Sequence, residues 1–229
     1  MVLGIKLGMA ALILGGAAIG WVAGLIWTRP QITPFVAFQI ELPENRKLSV
    51  SRDEVATEMW NQCHKAGACS LSFAAEGNAT PVTGVNPDDI LEFLNWLNLS
   101  MKSQWRLPTI MEQRAYSQDL PGKNKKPLFS DPRMAWAADY NMAKPYSRDI
   151  YESGHFGQLP NGLRDVGGNV WEWTSSCVNP AVPAEMCPAF FVGGDHEAEI
   201  PVFLRDAYSG GCSAGAPPTH LGFRLVHDA

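Results

Sequence analysis

The chain has 229 residues, a formal net charge of −5 and a sequence pI near 5.5. Charged residues make up 18% of it and hydrophobic residues 46%, a balance that excludes a disordered chain and is typical of a packed domain. The acidic charge balance gives no reason to expect a nucleic-acid partner.

The N-terminal segment is apolar and long enough to cross a membrane. Leu7–Trp27 contains 21 residues without a charge, and about 20 apolar residues span the hydrocarbon core as a helix. A cleaved signal peptide is the alternative, but its apolar core is usually only about 7–15 residues long. We therefore predict a retained transmembrane anchor over residues 1–29, a linker and first strand over residues 30–47, and one domain over residues 48–229.

One face of the predicted transmembrane helix is lined by glycine. Gly16, Gly20 and Gly24 follow one another at i, i+4 spacing, which lets a second helix approach closely. Glycine is also common in membrane helices that make no such contact. We predict that this face packs against a helix of another membrane-protein subunit.

The residues after the anchor predict a strand and then a helix. An apolar stretch between Pro34 and Pro43 predicts the strand. Ser51 followed by Glu54 matches a capping box, which predicts a helix that starts there and ends near Gly67. That helix would bury Val55, Met59 and Trp60.

Two further helices are predicted before the chain becomes irregular. Asn86 and Pro87, followed by two aspartates, favour the start of a helix. Pro108 or Thr109 marks the start of a third, short helix that runs to Tyr116. After residue 118, short strand-like pieces alternate with Gly- and Pro-rich loops, so the pattern predicts an α+β domain.

The five cysteines indicate the compartment of the domain. Cys63 and Cys69 flank a Gly-containing turn, and Cys177 and Cys187 flank a Pro-rich loop, so we predict two disulfides, which require an oxidising compartment. A zinc site is the alternative, but it would need closer spacing and more histidines. We therefore expect a cytoplasmic N-terminus and an exported domain, periplasmic in a Gram-negative source, with Cys212 left as a free or intermolecular thiol.

Four stretches of the chain, taken in order, form a recognisable pattern. The most specific is Asn161–Trp173, which contains the sequence GNVWEW. The others are Val50–Cys69, Pro81–Thr109, and the Gly193–Gly194 pair with Leu221–Arg224. Together they resemble the formylglycine-generating enzyme (sulfatase-modifying factor) family. The resemblance spans residues 35–228 and implies a loop-rich, C-type-lectin-like formylglycine-generating-enzyme fold.

The same resemblance implies a structural calcium ion in the Asn161–Trp173 stretch. Its ligands would be the carboxylates of Asp165 and Glu172 and the main-chain carbonyls of Gly168 and Val170, and oxygen ligands suit Ca²⁺. The alternative is a buried Glu172 that accepts hydrogen bonds from main-chain N–H groups and binds no metal.

The resemblance stops at the catalytic cysteines. Active members use two cysteines after the Gly-Gly pair to bind copper(I) and oxidise a substrate cysteine with O₂. Counted from Gly193, these two places fall near Ala198 and Phe203 here. Because copper(I) requires soft thiolate ligands, we expect no copper and no formylglycine-generating activity. His196, Glu197 and Glu199 lie in this stretch, either as ligands for another metal or as a solvated acidic loop.

These features favour a membrane-anchored, non-catalytic protein that acts as an accessory, assembly or structural subunit of a membrane protein complex. The first alternative is an oxidoreductase or maturation factor for an exported metalloenzyme or sulfatase, with altered ligands. The second is a lectin-like module that binds glycan or peptide near Trp171, which rests on fold analogy alone.

Overall fold

The structure is a computed structural model that describes residue 32 and residues 35–74, 79–120, 149–194, 197–205 and 220–229. The helices are α1 (Thr57–Lys65), α2 (Pro87–Met101) and α3 (Ile110–Tyr116), with 3₁₀ helices at Pro43–Asn45 and Ala184–Met186. The strands are β1 (Ala37–Glu41), β2 (Lys47–Ser51), β3 (Trp171–Cys177), β4 (Ala189–Gly193), β5 (Glu197–Pro201), β6 (Leu221–Gly222) and β7 (Val226–Asp228). This mixture confirms the predicted loop-rich α+β class.

The strands within the described residues form two sheets. In the first sheet, β1 and β7 both pair antiparallel with β2. In the second, the order is β5-β4-β3-β6, where β3 and β6 are parallel and the other neighbours are antiparallel. Because β6 and β7 both lie at the C-terminal end, this short segment contributes one strand to each sheet.

An aromatic core joins α1, α2 and the second sheet. The rings of Trp60 and Phe93 stack with centroids 5.4 Å apart, and Phe223 packs edge-on against both. All three side chains are fully buried. Trp173 of β3 lies in the same core, where its Nε1 donates to the carbonyl of Val85 at 2.9 Å. Its one polar atom is therefore satisfied, as a buried indole requires.

Helices α2 and α3 begin where the sequence predicts. Asn86 and Asp89 exchange the two hydrogen bonds of a capping box at the start of α2, and Thr109 and Glu112 do the same at α3. Since the apolar face of α2 also packs into the core, the local signal and the tertiary packing agree.

The predicted capping box at Ser51 and Glu54 is wrong. Ser51 is the last residue of β2, and α1 begins only at Thr57. The main-chain N–H of Ser51 donates to the carbonyl of Leu225 at 2.9 Å, and the N–H of Leu225 donates to Ser51 Oγ at 3.1 Å. Pairing with the C-terminal end of the chain therefore takes precedence over the local cap. The predicted end of the helix near Gly67 is confirmed.

The predicted anchor lies outside the described residues, together with Gly16, Gly20 and Gly24. Within the described ranges, no helix has the length and apolar character that a membrane span requires. The anchor and the division of the chain at residues 29 and 47 stay predictions.

Candidate functional site

A buried arginine near the C-terminus organises the polar interior of the domain. Arg224 and Glu172 are both fully buried, and the guanidinium donates to Glu172 Oε1 from Nε at 2.9 Å and from Nη2 at 2.7 Å. Its remaining N–H groups donate to the main-chain carbonyls of Ser51, Arg52 and Arg164. Arginine has five N–H donors, and all five have acceptors here. Complete hydrogen bonding is the condition under which a buried ion pair is tolerated.

Two more titratable groups lie against this ion pair. Tyr116 Oη donates to Glu172 Oε2 at 3.1 Å, and burial together with the charge of Glu172 raises the pKa of Tyr116 well above its usual range. Glu54 lies 3.9 Å from Arg224, but neither carboxyl oxygen has a hydrogen-bond partner in the described part of the chain. Burial raises the pKa of Glu54 well above its usual value; Glu172 adds to this rise and Arg224 opposes it. We refer to Glu54, Tyr116, Glu172 and Arg224 as the buried polar cluster.

Asp165 starts the glycine-rich turn that leads into β3. Its φ of 57° is in the left-handed region, which aspartate tolerates better than most residues. Its carboxylate accepts the main-chain N–H of Gly154 and that of Phe156, the latter at 2.8 Å. A Cβ at Gly168 would lie 2.6 Å from the Phe156 side chain. Asp165 therefore fastens the 154–156 segment closely over the turn.

The residues predicted to bind calcium lie along this turn and β3, but the two carboxylates have separate partners. The oxygens of Asp165 accept main-chain N–H groups, and those of Glu172 accept from Arg224 and Tyr116. The described residues contain no group of three or more His, Cys, Asp or Glu side chains that could hold a metal ion. In this arrangement the carboxylate oxygens of Asp165 and Glu172 do not fit a calcium site. Both carboxylates would have to give up their N–H and O–H hydrogen-bond donors before they could bind the ion. Calcium binding by Asp165, Gly168, Val170 and Glu172 stays a prediction.

The two positions that the resemblance places near the copper-binding cysteines hold apolar side chains. Ala198 lies in β5 opposite Val192 of β4, and Phe203 is largely exposed just after β5. Arg114 of α3 donates to both carboxylate oxygens of Glu197 at 2.7 Å, so Glu197 is engaged in an ion pair. His196 and Cys212 lie outside the described residues.

The Gly-Gly pair at the end of β4 is packed closely on both sides. A Cβ on Gly193 would lie 2.4 Å from Cδ of Gln113, and one on Gly194 would lie 3.2 Å from the ring of Trp171. A side chain at Gly193 would require Gln113 of α3 to move, and one at Gly194 would press on Trp171. The segment that leads into β5 is therefore closely packed.

Both predicted disulfides are confirmed. Cys63 and Cys69 are joined across the turn after α1, with their Cα atoms 5.3 Å apart. Cys177 and Cys187 join the end of β3 to the chain just before β4, with Cα atoms 5.8 Å apart.

The partners of Glu172 do not follow from the sequence patterns. Arg224 belongs to a stretch recognised only by resemblance, and Tyr116 is predicted only as the end of a helix. A usable signal was present, because Arg224 is the single charge in the apolar run Leu221–Val226. A lone charge in such a run predicts a buried partner of opposite sign.

The α+β architecture, the glycine-rich turn before β3 and the Gly-Gly pair against Trp171 define a formylglycine-generating-enzyme-like fold. The family model described as the sulfatase-modifying factor enzyme 1-like domain matches residues 34–229. The chain belongs to this family. No curated protein sequence matches it significantly.

Solved structures with a similar fold come from several proteins. Variable protein 1 of Treponema denticola superposes with a TM-score of 0.53 at 16% identity, covering 86% of this chain and 94% of that chain. PvdO from Pseudomonas aeruginosa gives 0.55 at 16% identity, covering 86% and 92%, and CarF gives 0.57 at 15% identity, covering 86% and 99%. At these identities the similarity establishes the fold alone.

Proposed function

We propose that this chain is a non-catalytic, membrane-anchored member of its family whose exported domain is an accessory or assembly subunit of a membrane protein complex. The observation that carries the proposal is a closely packed family scaffold with Ala198 and Phe203 near the places that the resemblance assigns to the copper-binding cysteines. Neither side chain offers the thiolate that copper(I) requires. The fold can therefore present a binding surface, but these two positions cannot perform the family's oxidation.

The two disulfides support an exported location for the domain. Cys63–Cys69 and Cys177–Cys187 have the geometry of formed bonds, and such bonds persist in oxidising compartments such as the periplasm or the extracellular space. The uncharged segment Leu7–Trp27 is long enough to tether the domain to the inner or plasma membrane. An exported, tethered domain suits a subunit that acts beside a membrane partner.

The glycine face of the anchor supports a partner within the membrane. Gly16, Gly20 and Gly24 at i, i+4 spacing would let the backbone of a partner helix approach closely. The partner would then be held at two places, by helix packing in the membrane and by the exported domain outside it.

Purification of the tagged full chain from its native membrane in mild detergent tests the proposal. We expect a stoichiometric membrane-protein partner, identified by mass spectrometry, whose recovery falls at least about tenfold when Gly20→Leu fills the glycine face. Gly15→Leu adds the same side chain to a different side of the helix and should leave recovery unchanged. A chain that migrates alone, or equal losses in both variants, contradicts the proposal.

Metal analysis separates this proposal from an oxidoreductase with altered ligands. Protein purified without chelators should contain no stoichiometric copper or iron. A stoichiometric transition metal that is lost in His196→Ala or Cys212→Ala would favour the oxidoreductase instead.

A further inference from the structure

A cavity of about 270 Å³ lies beside the buried polar cluster, near the start of α1. The residues before β1, the loop between β2 and α1, and the stretch around Arg164 form its walls. Part of the wall is apolar and is formed by Phe35, Val36, Val55, Met59 and Leu225. The cavity is distinct from the Gly193–Gly194 region, where the family's catalytic cysteines would lie.

Two arginines in the cavity wall share one aspartate. Arg52 Nε donates to Asp53 Oδ2 at 2.9 Å, and Arg164 Nε donates to Asp53 Oδ1 at 2.5 Å. Burial raises the pKa of Asp53, but the hydrogen bonds from Arg164 and Arg52 outweigh it and bring the pKa below its usual value. One carboxylate therefore balances two guanidinium groups, and a positive charge is left over.

The arginines keep unused donors at the cavity. Each is bound to Asp53 through Nε only, and no terminal nitrogen of either donates to an acceptor in the described ranges. Their side chains are 34% and 27% exposed, so a ligand could reach them. The terminal nitrogens of a guanidinium form the fork that binds a carboxylate.

The buried polar cluster holds these arginines in place. Arg224 donates to the main-chain carbonyls of both Arg52 and Arg164, and the N–H of Arg164 donates to the carbonyl of Arg52 at 2.9 Å. The main chain at Arg52 and the main chain at Arg164 are therefore held at a fixed separation by the buried side chain of Arg224 and by their own hydrogen bond. A site that is positioned in advance loses less entropy when it binds.

The acidic residues in the wall do not cancel this positive charge. Burial favours the neutral form of Glu54 by raising its pKa, and its carboxyl oxygens are excluded from solvent. Glu58 is exposed, so water and salt screen its charge. The charge of Asp165 also acts on Arg164, but its carboxylate accepts main-chain N–H groups and Asp165 does not line the cavity. The charged groups that face a ligand are therefore the arginine pair.

We propose that this cavity binds a carboxylate joined to a small apolar body. The carboxylate contacts Arg52 and Arg164, and the apolar body packs against side chains such as Val55 and Met59. The volume lies just below the roughly 300–1,000 Å³ of pockets for drug-sized ligands. The ligand is therefore the size of a short branched acid or of the last residue of a peptide. Inorganic phosphate fits the charge but gains nothing from the apolar wall.

Calorimetric titration of the full chain in mild detergent tests this site with 3-methylbutanoate and its uncharged analogue 3-methylbutanamide. We expect saturable binding of the acid at millimolar concentration or below, and binding of the amide at least about tenfold weaker. Arg52→Gln and Arg164→Gln should each weaken acid binding at least about tenfold. Arg46→Gln removes an exposed arginine outside the cavity and should have no effect. If a Gln variant fails to fold, Arg52→Lys and Arg164→Lys take its place in the test. These variants keep the charge but lose the planar fork, so they should also weaken binding of the acid.

Some results would overturn the site, and a peptide ligand distinguishes between two sources of the carboxylate. Equal binding of acid and amide, equally tight binding of inorganic phosphate, or no binding up to about 10 mM would each overturn the site. N-acetyl-Ala-Val with a free carboxylate, compared with its C-terminal amide, distinguishes the sources. If the peptide with a free carboxylate binds more tightly than 3-methylbutanoate, the ligand is a peptide C-terminus. If that peptide binds more weakly, the ligand is a free acid. Because the purified chain is used alone, the result does not depend on the proposed accessory role.

Discussion

The carboxylate of Glu172 and the guanidinium of Arg224 meet at 2.7 Å with both side chains fully buried. Glu172 lies in β3, whereas Arg224 lies between β6 and β7 and also binds main-chain carbonyls at the end of β2 and at Arg164. One side chain therefore connects both sheets and the glycine-rich turn. The ion pair is a structural link whose removal should destabilise the whole domain.

Replacement of Arg224 by methionine should lower the free energy of unfolding by about 3–5 kcal/mol, because it leaves Glu172 buried without a positive partner. Urea unfolding followed by circular dichroism measures the change. Arg114→Met breaks the partly exposed pair with Glu197 and should cost no more than about 1 kcal/mol. Similar losses in the two variants would show that Arg224 has no special structural role.

Glu54 should make the stability of the domain depend on pH. Its raised folded-state pKa means that the folded protein keeps a proton that the unfolded chain loses. Stability should therefore decrease as the pH rises from the ordinary value of 4.5 through the raised folded-state pKa. Glu54→Gln removes the titrating group and should flatten this decrease. Glu58→Gln, an exposed neighbour, should keep the wild-type slope; parallel slopes in wild type and Glu54→Gln would refute this account.

The calcium site predicted from the sequence can be tested by thermal unfolding with and without calcium. If Asp165, Gly168, Val170 and Glu172 bind the ion, calcium should raise Tm of chelator-treated protein by mass action. Asp165→Ala should abolish the rise, whereas Asp119→Ala should preserve it. An unchanged Tm would leave Asp165 with a single role, which is to hold the main chain at Gly154 and Phe156.

The disulfide pattern predicts the number of free thiols. Four of the five cysteines are paired, so the denatured, unreduced chain should react with one equivalent of a thiol reagent, at Cys212. The double variant Cys63→Ser/Cys69→Ser should leave that number at one and lower the free energy of unfolding by about 2 kcal/mol. Three reactive thiols in the wild-type chain would show that one of the two bonds is absent.

The helices that could be predicted are those whose signals are local. Asn86 and Thr109 cap α2 and α3 through residues three positions away, so the capping pattern alone finds them. Ser51 and Glu54 have the same pattern, yet Ser51 ends a strand because Leu225 pairs with it from the other end of the chain. A local pattern cannot reveal this pairing, because Leu225 lies far from Ser51 in the sequence.

The polar interior was less predictable for the same reason. The glycine-rich turn and the disulfides follow from short motifs, but the partners of Glu172 lie at Tyr116 and Arg224, far away in sequence. The arginine pair at the cavity also depends on the fold, since Arg52 and Arg164 meet only at Asp53. Residue types and spacing therefore located the scaffold, whereas the contacts that define its polar sites required the structure.

The position of Arg224 and β7 has a consequence for the order of folding. Residue 224 supplies the interior charge and Val226–Asp228 forms an edge strand of the first sheet, so β2 keeps one unpaired side until this segment docks. Pairing between segments so far apart in sequence forms slowly. Completion of the first sheet and pairing of the buried Glu172 with Arg224 should therefore occur together, as one late step of folding.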